Sequence, residues 1–268
     1  MRKMLVIGVM LAVGAASLSA DVTVVQRMTM EGQAAAMMQG ASLPTMTMRI
    51  KGRKSRTEME MNGQAMSTIA DLDSGQIIVL DATRKTATVT TASSLAEAMK
   101  GAPMPQIDMS MNATGKSQTI DGQACDEHAF SMAVGLGEMA GQMQMSPEAA
   151  ETLKDVRIRM NGSFWVAKAA PGAAEFMAFT KAAVDSKLLT AMLGGIPGMD
   201  KMMEGASALS GLPYLTRMTL TFEGSHPMVE MLKQMGAFTM EQRVERVSTD
   251  PIADDLFAIP EGYTIEKK

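Results

Sequence analysis

The sequence predicts a mainly β protein with some helix: a curved antiparallel sheet, or incomplete β barrel, with a helical segment laid on it as lid or plug. Three observations predict this. Short stretches alternate apolar and polar side chains with period two, the mark of half-buried strands. Turn residues join most of these stretches directly, without helical crossovers, so neighbouring strands pair antiparallel. One long block, residues 173–209, is rich in Ala, Leu and Met at helical spacing and must bury its apolar stripe against something.

The elements follow in chain order. Arg2 and Lys3 precede an apolar run from Met4 to Ala16, then Ser17-Leu18-Ser19-Ala20 and the polar Asp21. This is the pattern of a secretory signal peptide cut after Ala20, and the apolar run is shorter than the about 20 residues a membrane-spanning helix needs. Residues 1–20 are expected to be removed, leaving 21–268 as a single exported, soluble, periplasmic domain. No Cys stands at the cleavage point to carry a lipid anchor.

Val22 to Met30 alternates as a strand. In 45–50 Met46, Met48 and Ile50 share a face against Thr45, Thr47 and Arg49, and in 57–62 Met59 and Met61 oppose Glu58, Glu60 and Asn62. The basic stretch Lys51-Gly52-Arg53-Lys54-Ser55 joins them as a hairpin. Gln76 to Leu80 and Lys85 to Thr90 flank the turn 81–84, and Ser94 with Glu97 has capping-box spacing for a helix over 95–100.

Ile107 to Ala113 is the next strand, and Ser117 to Ile120 pairs with Cys125 to Val134 around Asp121-Gly122-Gln123. Pro147 suits the first turn of a short helix ending at Lys154. Val156 to Met160, Tyr214 to Phe222 and Met240 to Val247 complete the strands. The helical block runs Ala173 to Leu193, breaks at Gly194-Gly195-Ile196-Pro197-Gly198, and resumes over 199–209 with Phe176, Phe179, Leu188 and Met192 on its stripe.

Composition bounds the function. The chain has 25 Lys+Arg against 29 Asp+Glu, and loss of Arg2 and Lys3 leaves 23 against 29, a net charge of −6. A mildly acidic surface gives no electrostatic reason for nucleic acid as a partner. The single Cys125 has no intramolecular partner and is expected as a small buried hydrophobe.

Methionine is the unusual feature, at 31 residues, while aromatic residues are only 4%. A thioether is flexible and polarisable, and it lines surfaces that accept varied apolar partners. The expected role of these residues is interior lining for acyl chains or apolar polypeptide. The alternative is a soft-metal site: alternate residues on a strand are about 6.6–7 Å apart, so Met46 with Met48, or Met59 with Met61, could converge on Cu(I). A structural envelope protein with a merely packed core is a further alternative.

No G-x-S-x-G, H-E-x-x-H, P-loop or C-x-x-C occurs, and no enzymatic activity and no cofactor are expected. Cys125 and His128 have an odd spacing that sends them to opposite faces of a strand, which rules out a dyad there. Asp126 and His128 share a face as a solvated pair, and His226 precedes Pro227 in a loop. Gly135-Leu136-Gly137-Glu138-Met139-Ala140 fits a dinucleotide fingerprint only formally, since that site needs a parallel βαβ unit. Asp71-Leu72-Asp73-Ser74-Gly75 lacks the distal Glu of a calcium loop and reads as a polar turn.

Five segments together resemble an exported bacterial family, that of domain of unknown function 4412. They are Ile50-Lys51-Gly52 with Arg56, then 71–81 (DLDSGQIIVLD), 120–128 (IDGQACDEH), 164–168 (FWVAK) and 257–263 (FAIPEGY). That family in turn resembles the periplasmic lipoprotein carriers LolA and LolB. The resemblance implies an incomplete antiparallel barrel whose apolar concavity, covered by helices, takes acyl chains. It directs Met46, Met48, Met59, Met61, Met109 and Met111 toward the concavity, together with Ile158, Met160, Met218 and Leu220. Ile50, Trp165 and Phe222 complete the expected lining, and 173–209 is the lid. The implied partner is a lipid or an acylated protein, with transient membrane contact.

Overall fold

A computed structural model describes residues 21–31, 44–61, 64–98, 107–137, 146–186, 188, 205, 209–234 and 237–268. The first half of the chain is a run of hairpins: β1 (Val22–Glu31), β2 (Thr45–Lys51), β3 (Lys54–Met61), β4 (Gln64–Asp71), β5 (Gln76–Asp81), β6 (Thr86–Thr91) and then α1 (Ala92–Ala98). The second half holds β7 (Ile107–Ile120), β8 (Gln123–Gly135), α2 (Pro147–Thr152), β9 (Arg157–Ala167), α3 (Ala173–Asp185), β10 (Leu212–Glu223), α4 (Pro227–Gln234) and β11 (Phe238–Ser248). A 3-10 turn, Asp254–Phe257, and the short β12 (Thr264–Lys267) finish the chain.

Among the described residues twelve strands form one open, curved sheet in the order β12-β6-β5-β4-β3-β2-β1-β11-β10-β9-β8-β7. Two hairpin meanders meet where β1 pairs with β11. Every pairing is antiparallel except β12, which lies parallel to β6. The outer strands β12 and β7 do not pair with each other, so the sheet does not close.

Turn chemistry sets the register. Asp121 (φ 48) and Gly122 (φ 79) are both left-handed, the backbone of a two-residue type I′ hairpin turn, whose twist matches that of the strands it joins. At the β4–β5 turn Asp71 Oδ1 accepts the amides of Asp73 at 2.9 Å and Ser74 at 3.3 Å. Asp81 Oδ1 does the same for Thr83 and Arg84, both at 2.9 Å. Asp71 is therefore occupied as a turn acceptor, which is the polar-turn reading of that segment.

The structure moves several sequence-derived boundaries. Residues 107–113 and 117–120 are one strand, β7, carried across the gap by a bulge between Ala113 and Ser117. Helix α1 begins at Ala92 rather than Leu95, and its capping box is Thr91 with Ser94: Thr91 Oγ1 accepts the Ser94 amide and Ser94 Oγ accepts the Thr91 amide, each at 3.0 Å. Ser94 with Glu97 suggested the same motif three residues late. Strands β4 and β12 and helix α4 were not foreseen. Their sequences, QAMSTIAD, TIEK and PMVEMLKQ, are too short or too weakly alternating to stand out from their neighbours.

Among the described residues the apolar core has three parts. Val22, Val24, Ile50, Leu212 and Val244 form one cluster, with Phe176 and Phe179 of α3 against it. Leu72, Ile77, Ala183 and Leu188 form another, again touched by Phe179. Ile69, Ile78, Leu80 and Ala87 pack with Ile252 and Phe257 of the C-terminal segment. Ala70 opposes Ile77 and Ile69 opposes Ile78, so α3 covers one face of β4–β5 and the C-terminal segment the other. Each fully buried Ile or Leu contributes about 1.5–3 kcal/mol by leaving water.

Gly172 governs the entry to α3. Its φ is +71, and an added Cβ would lie 2.2 Å from Val22 Cγ2. A side chain there would be strained in its backbone and would push the helix off β1. The C-terminal segment is held by polar groups instead. Lys51 Nζ donates to Ile252 O at 2.6 Å and pairs with Asp254 at 2.8 Å, while Asp21 accepts the Ile252 amide at 2.6 Å.

Candidate functional site

Directly opposed residues of paired strands project to the same face of a sheet, so the register sorts the methionines. In one row across β7, β8, β9 and β10 stand Met109, Met132, Met160 and Leu220, continued by Phe238 of β11. The next row holds Met111, Phe130, Gly162, Met218, Met240 and, on β1, Met30. Ile107, Val134, Ile158 and Phe222 form a third. Two strands further along, Met46, Met59 and Met66 lie side by side on β2, β3 and β4, opposite Gln26 of β1.

These rows belong to one face, because β1 carries Gln26, Met28 and Met30 at alternate positions. Met46, Met48, Ile50, Met59, Met109, Met111, Ile158, Met160, Met218, Leu220 and Phe222 all stand on it. Trp165 does not. It is an odd number of residues from Met160, which sets it on the opposite face of β9, paired with Leu215 and Glu127, and it packs against the first core cluster. Met61 ends β3 opposite Gln64, and its side chain lies outside the described residues.

The face is apolar but not sealed. Ile50 is buried and Phe130 and Val134 nearly so, most of the second-half methionines are half-buried, and Met59 and Met66 are 40% and 60% exposed. Gly162 is a flat spot that lets the Phe130 ring lie across β9, since an added Cβ would stand 2.8 Å from that ring. Phe130 then stacks on Phe164 with centroids 4.7 Å apart. Polar residues also stand on this face: Gln242 Nε2 donates to Gln26 Oε1 at 2.8 Å, and Thr216 lies opposite Gln242. Thr57 and Thr68 lie opposite each other beside Met48, and Asp81 lies opposite Met66.

The opposite face carries ion pairs between the apolar patches around Trp165 and Leu215 and around Ile69, Ile78 and Leu80. Along β1, β11, β10 and β9 it carries Arg27 with Glu245 at 2.6 Å, Arg217 with Glu241 at 2.6 Å, and Arg159 with Glu223 at 2.6 Å. The guanidinium of Arg159 holds the Glu223 carboxyl below its ordinary range. Near the other end, Glu58 bridges Arg49 and Arg56. Burial there works against ionisation, and the two arginines overcome it, leaving the carboxyl below its usual value. Two clefts formed by described residues, of about 210 and 290 Å³, lie beside Asp108, Met109, Ser131 and Arg159 and beside Arg49, Arg246, Asp250 and Leu256. Both fall short of the roughly 300–1,000 Å³ of small-molecule pockets.

The expected lid is partly described. Phe176 and Phe179 on α3 pack on the first core cluster and Leu188 is buried in the cluster around Leu72 and Ile77. Gly205 lies beside Met111, whose Sδ would be 3.2 Å from an added Cβ. Met192 lies outside the described residues, as do residues 1–20, where the signal peptide is expected.

Other candidates resolve simply. Cys125 is fully buried, and burial raises its thiol above the ordinary value, as for a cysteine packed as a small hydrophobe. It projects opposite to His128, as their odd spacing requires. Asp126 is engaged by Lys168 at 2.8 Å and Ser117 at 2.6 Å. Gly135 ends a strand whose neighbours β7 and β9 both run antiparallel to it, so it opens no parallel βαβ unit. Among the described residues no group of three or more His, Cys, Asp or Glu could hold a metal.

Arg56, one of the residues carrying the family resemblance, proves structural. It donates to Leu256 O at 2.9 Å and to Ser67 Oγ at 3.3 Å, besides pairing with Glu58. Nothing in the local sequence announces that a β3 arginine holds a segment 200 residues away. Among the described residues no helix is long and apolar enough to cross a membrane.

No protein-family model matches this chain, and no curated protein does. Among solved structures, an uncharacterized conserved protein from Thermus thermophilus is similar over 94% of this chain and 92% of its own, at 8% identity and a TM-score of 0.40.

Proposed function

We propose that this protein is a non-enzymatic, exported binding protein that shelters an apolar ligand, a lipid or the acyl chain of a modified protein, against the methionine-rich face of its sheet. The observation that carries the reading is the division of the sheet into two chemistries. Thioether, Ile, Leu and Phe side chains from consecutive strands stand on one face, and Arg–Glu pairs stand on the other. A packed core would bury such a face fully, whereas here much of it is only half-covered by described residues. Flexible thioethers adapt to chains of varied length and unsaturation, which rigid aromatic walls do not. The carrier architecture implied by the sequence resemblance supports the same reading, with 173–209 as the cover and the envelope membranes as source and destination of the ligand.

The test uses neighbouring residues on opposite faces. Met218→Glu places a charge on the apolar face, and Thr219→Glu places one on the polar face one residue away. Protein from its native host is extracted for lipid and measured by native mass spectrometry, and a fluorescent fatty-acyl probe is titrated into the delipidated protein. The expected result is bound lipid in the wild type, at least tenfold weaker probe binding for Met218→Glu, and little change for Thr219→Glu. Absence of both lipid and probe binding, or equal loss in the two variants, overturns the proposal.

A further inference from the structure

The row Met46–Met59–Met66 differs from the others on its face. It lies at the far side of the Gln26–Gln242 pair from the half-buried rows of β7–β11, and Met59 and Met66 are among the most exposed large apolar side chains described. Exposed thioethers at 40% and 60% contribute little to folding, because they remain in water. The register supplies something else: three sulfurs on three adjacent strands in direct lateral alignment.

We infer that this row is a binding site for a soft monovalent cation, Cu(I) or its analogue Ag(I), held by the three thioether sulfurs. Directly opposed Cβ atoms on paired strands are about 4.5–5.5 Å apart, and each sulfur stands two bonds beyond its Cβ on freely rotating torsions. The outer side chains of Met46 and Met66 can therefore lean toward Met59 and place all three sulfurs around a point above the middle strand. Thioethers favour Cu(I) over the harder divalent ions. Neutral ligands leave the ion's charge uncompensated, and the next residue in the row, Asp81, is a carboxylate opposite Met66 on β5. Its Oδ1 is tied to the turn amides of Thr83 and Arg84, and its Oδ2 lies 3.8 Å from Arg84 Nε.

The site is not the in-strand pairing that sequence spacing alone suggests. Met48 stands one row away, opposite Thr57 rather than another methionine, and the third sulfur comes from Met66 on a strand the sequence did not reveal. Lateral neighbours are also closer than alternate residues of one strand, which are about 6.6–7 Å apart.

The experiment is an anaerobic titration of the full chain with Cu(I) against a chromophoric chelator, with Ag(I) as a redox-inert check and sulfur coordination read by X-ray absorption. The variants are the triple Met46→Leu/Met59→Leu/Met66→Leu and, as control, Met109→Leu/Met132→Leu/Met160→Leu. Leucine keeps apolar volume and removes sulfur. The expected result is an all-sulfur Cu(I) site in the wild type and in the control triple, with at least a hundredfold weaker binding in the first triple. Equal Cu(I) affinity in all three proteins overturns the inference, as does a first shell of nitrogen or oxygen. The acyl probe is titrated into wild type and both triples as a separate readout, so loss of Cu(I) binding and loss of probe binding are scored independently and the metal site and the apolar surface succeed or fail separately.

Discussion

Replacing Arg56 with alanine tests how the C-terminal segment is held to the sheet. The Arg56 side chain is only 14% exposed, and its guanidinium reaches Leu256 O at 2.9 Å, Ser67 Oγ at 3.3 Å and Glu58 Oε1 at 2.8 Å. Hydrogen bonds to a charged group contribute roughly 1.5–3 kcal/mol each. Two reductions apply: Arg49 still neutralises Glu58, and Arg56 Nε is already buried without an acceptor, so its removal relieves a desolvation cost. The expected net loss is about 2–4 kcal/mol, which for a chain of this size lowers the melting temperature by roughly 5–15 °C. Urea unfolding followed by circular dichroism measures the loss, and limited proteolysis is expected to cut within 250–263 first. Arg56→Lys keeps the charge without the planar fork and should fall between. A variant within about 0.5 kcal/mol of wild type, with the C-terminal segment still protected, would refute the reasoning.

Two more predictions follow from the same geometry. Gly162→Ala is expected to destabilise strongly and to disturb near-ultraviolet aromatic signals, because the new Cβ would stand 2.2 Å from Arg217 O and 2.8 Å from the Phe130 ring; unchanged stability and spectrum would contradict that packing. Acid should weaken the fold through Glu58, whose carboxyl is held low by the two arginines despite its partial burial. A depressed carboxyl contributes stability that is complete above its unfolded value, about 4.3, and disappears as pH falls through the lower folded value. The acid limb of the stability curve should therefore be shallower in Arg56→Ala than in wild type.

Much of the architecture is legible in the chain itself. Period-two alternation in 45–50 and 156–160 identifies strands and assigns Met46, Met48, Ile158 and Met160 to faces, because side chains of a strand can only alternate. The same rule separates Cys125 from His128 and places Trp165 opposite Met160, a consequence the resemblance-based lining overlooked. Asp121-Gly122 marks its hairpin because few residues besides glycine, asparagine and aspartate tolerate a left-handed backbone.

What the sequence by itself determined is local: which residues alternate, where the chain turns, and that its unusual apolar content is thioether rather than aromatic. Only the tertiary structure decided which strands are neighbours, because the β1–β11 and β12–β6 pairings join segments some 180 to 220 residues apart. Such pairings depend on the total burial that results and on no nearby residue pattern. Register across those pairings gathered the methionines into rows, set Met66 beside Met59 and Met46, and brought Leu256 to Arg56. Lateral alignment is a relation between strands, and period-two alternation within one strand carries no information about its neighbour.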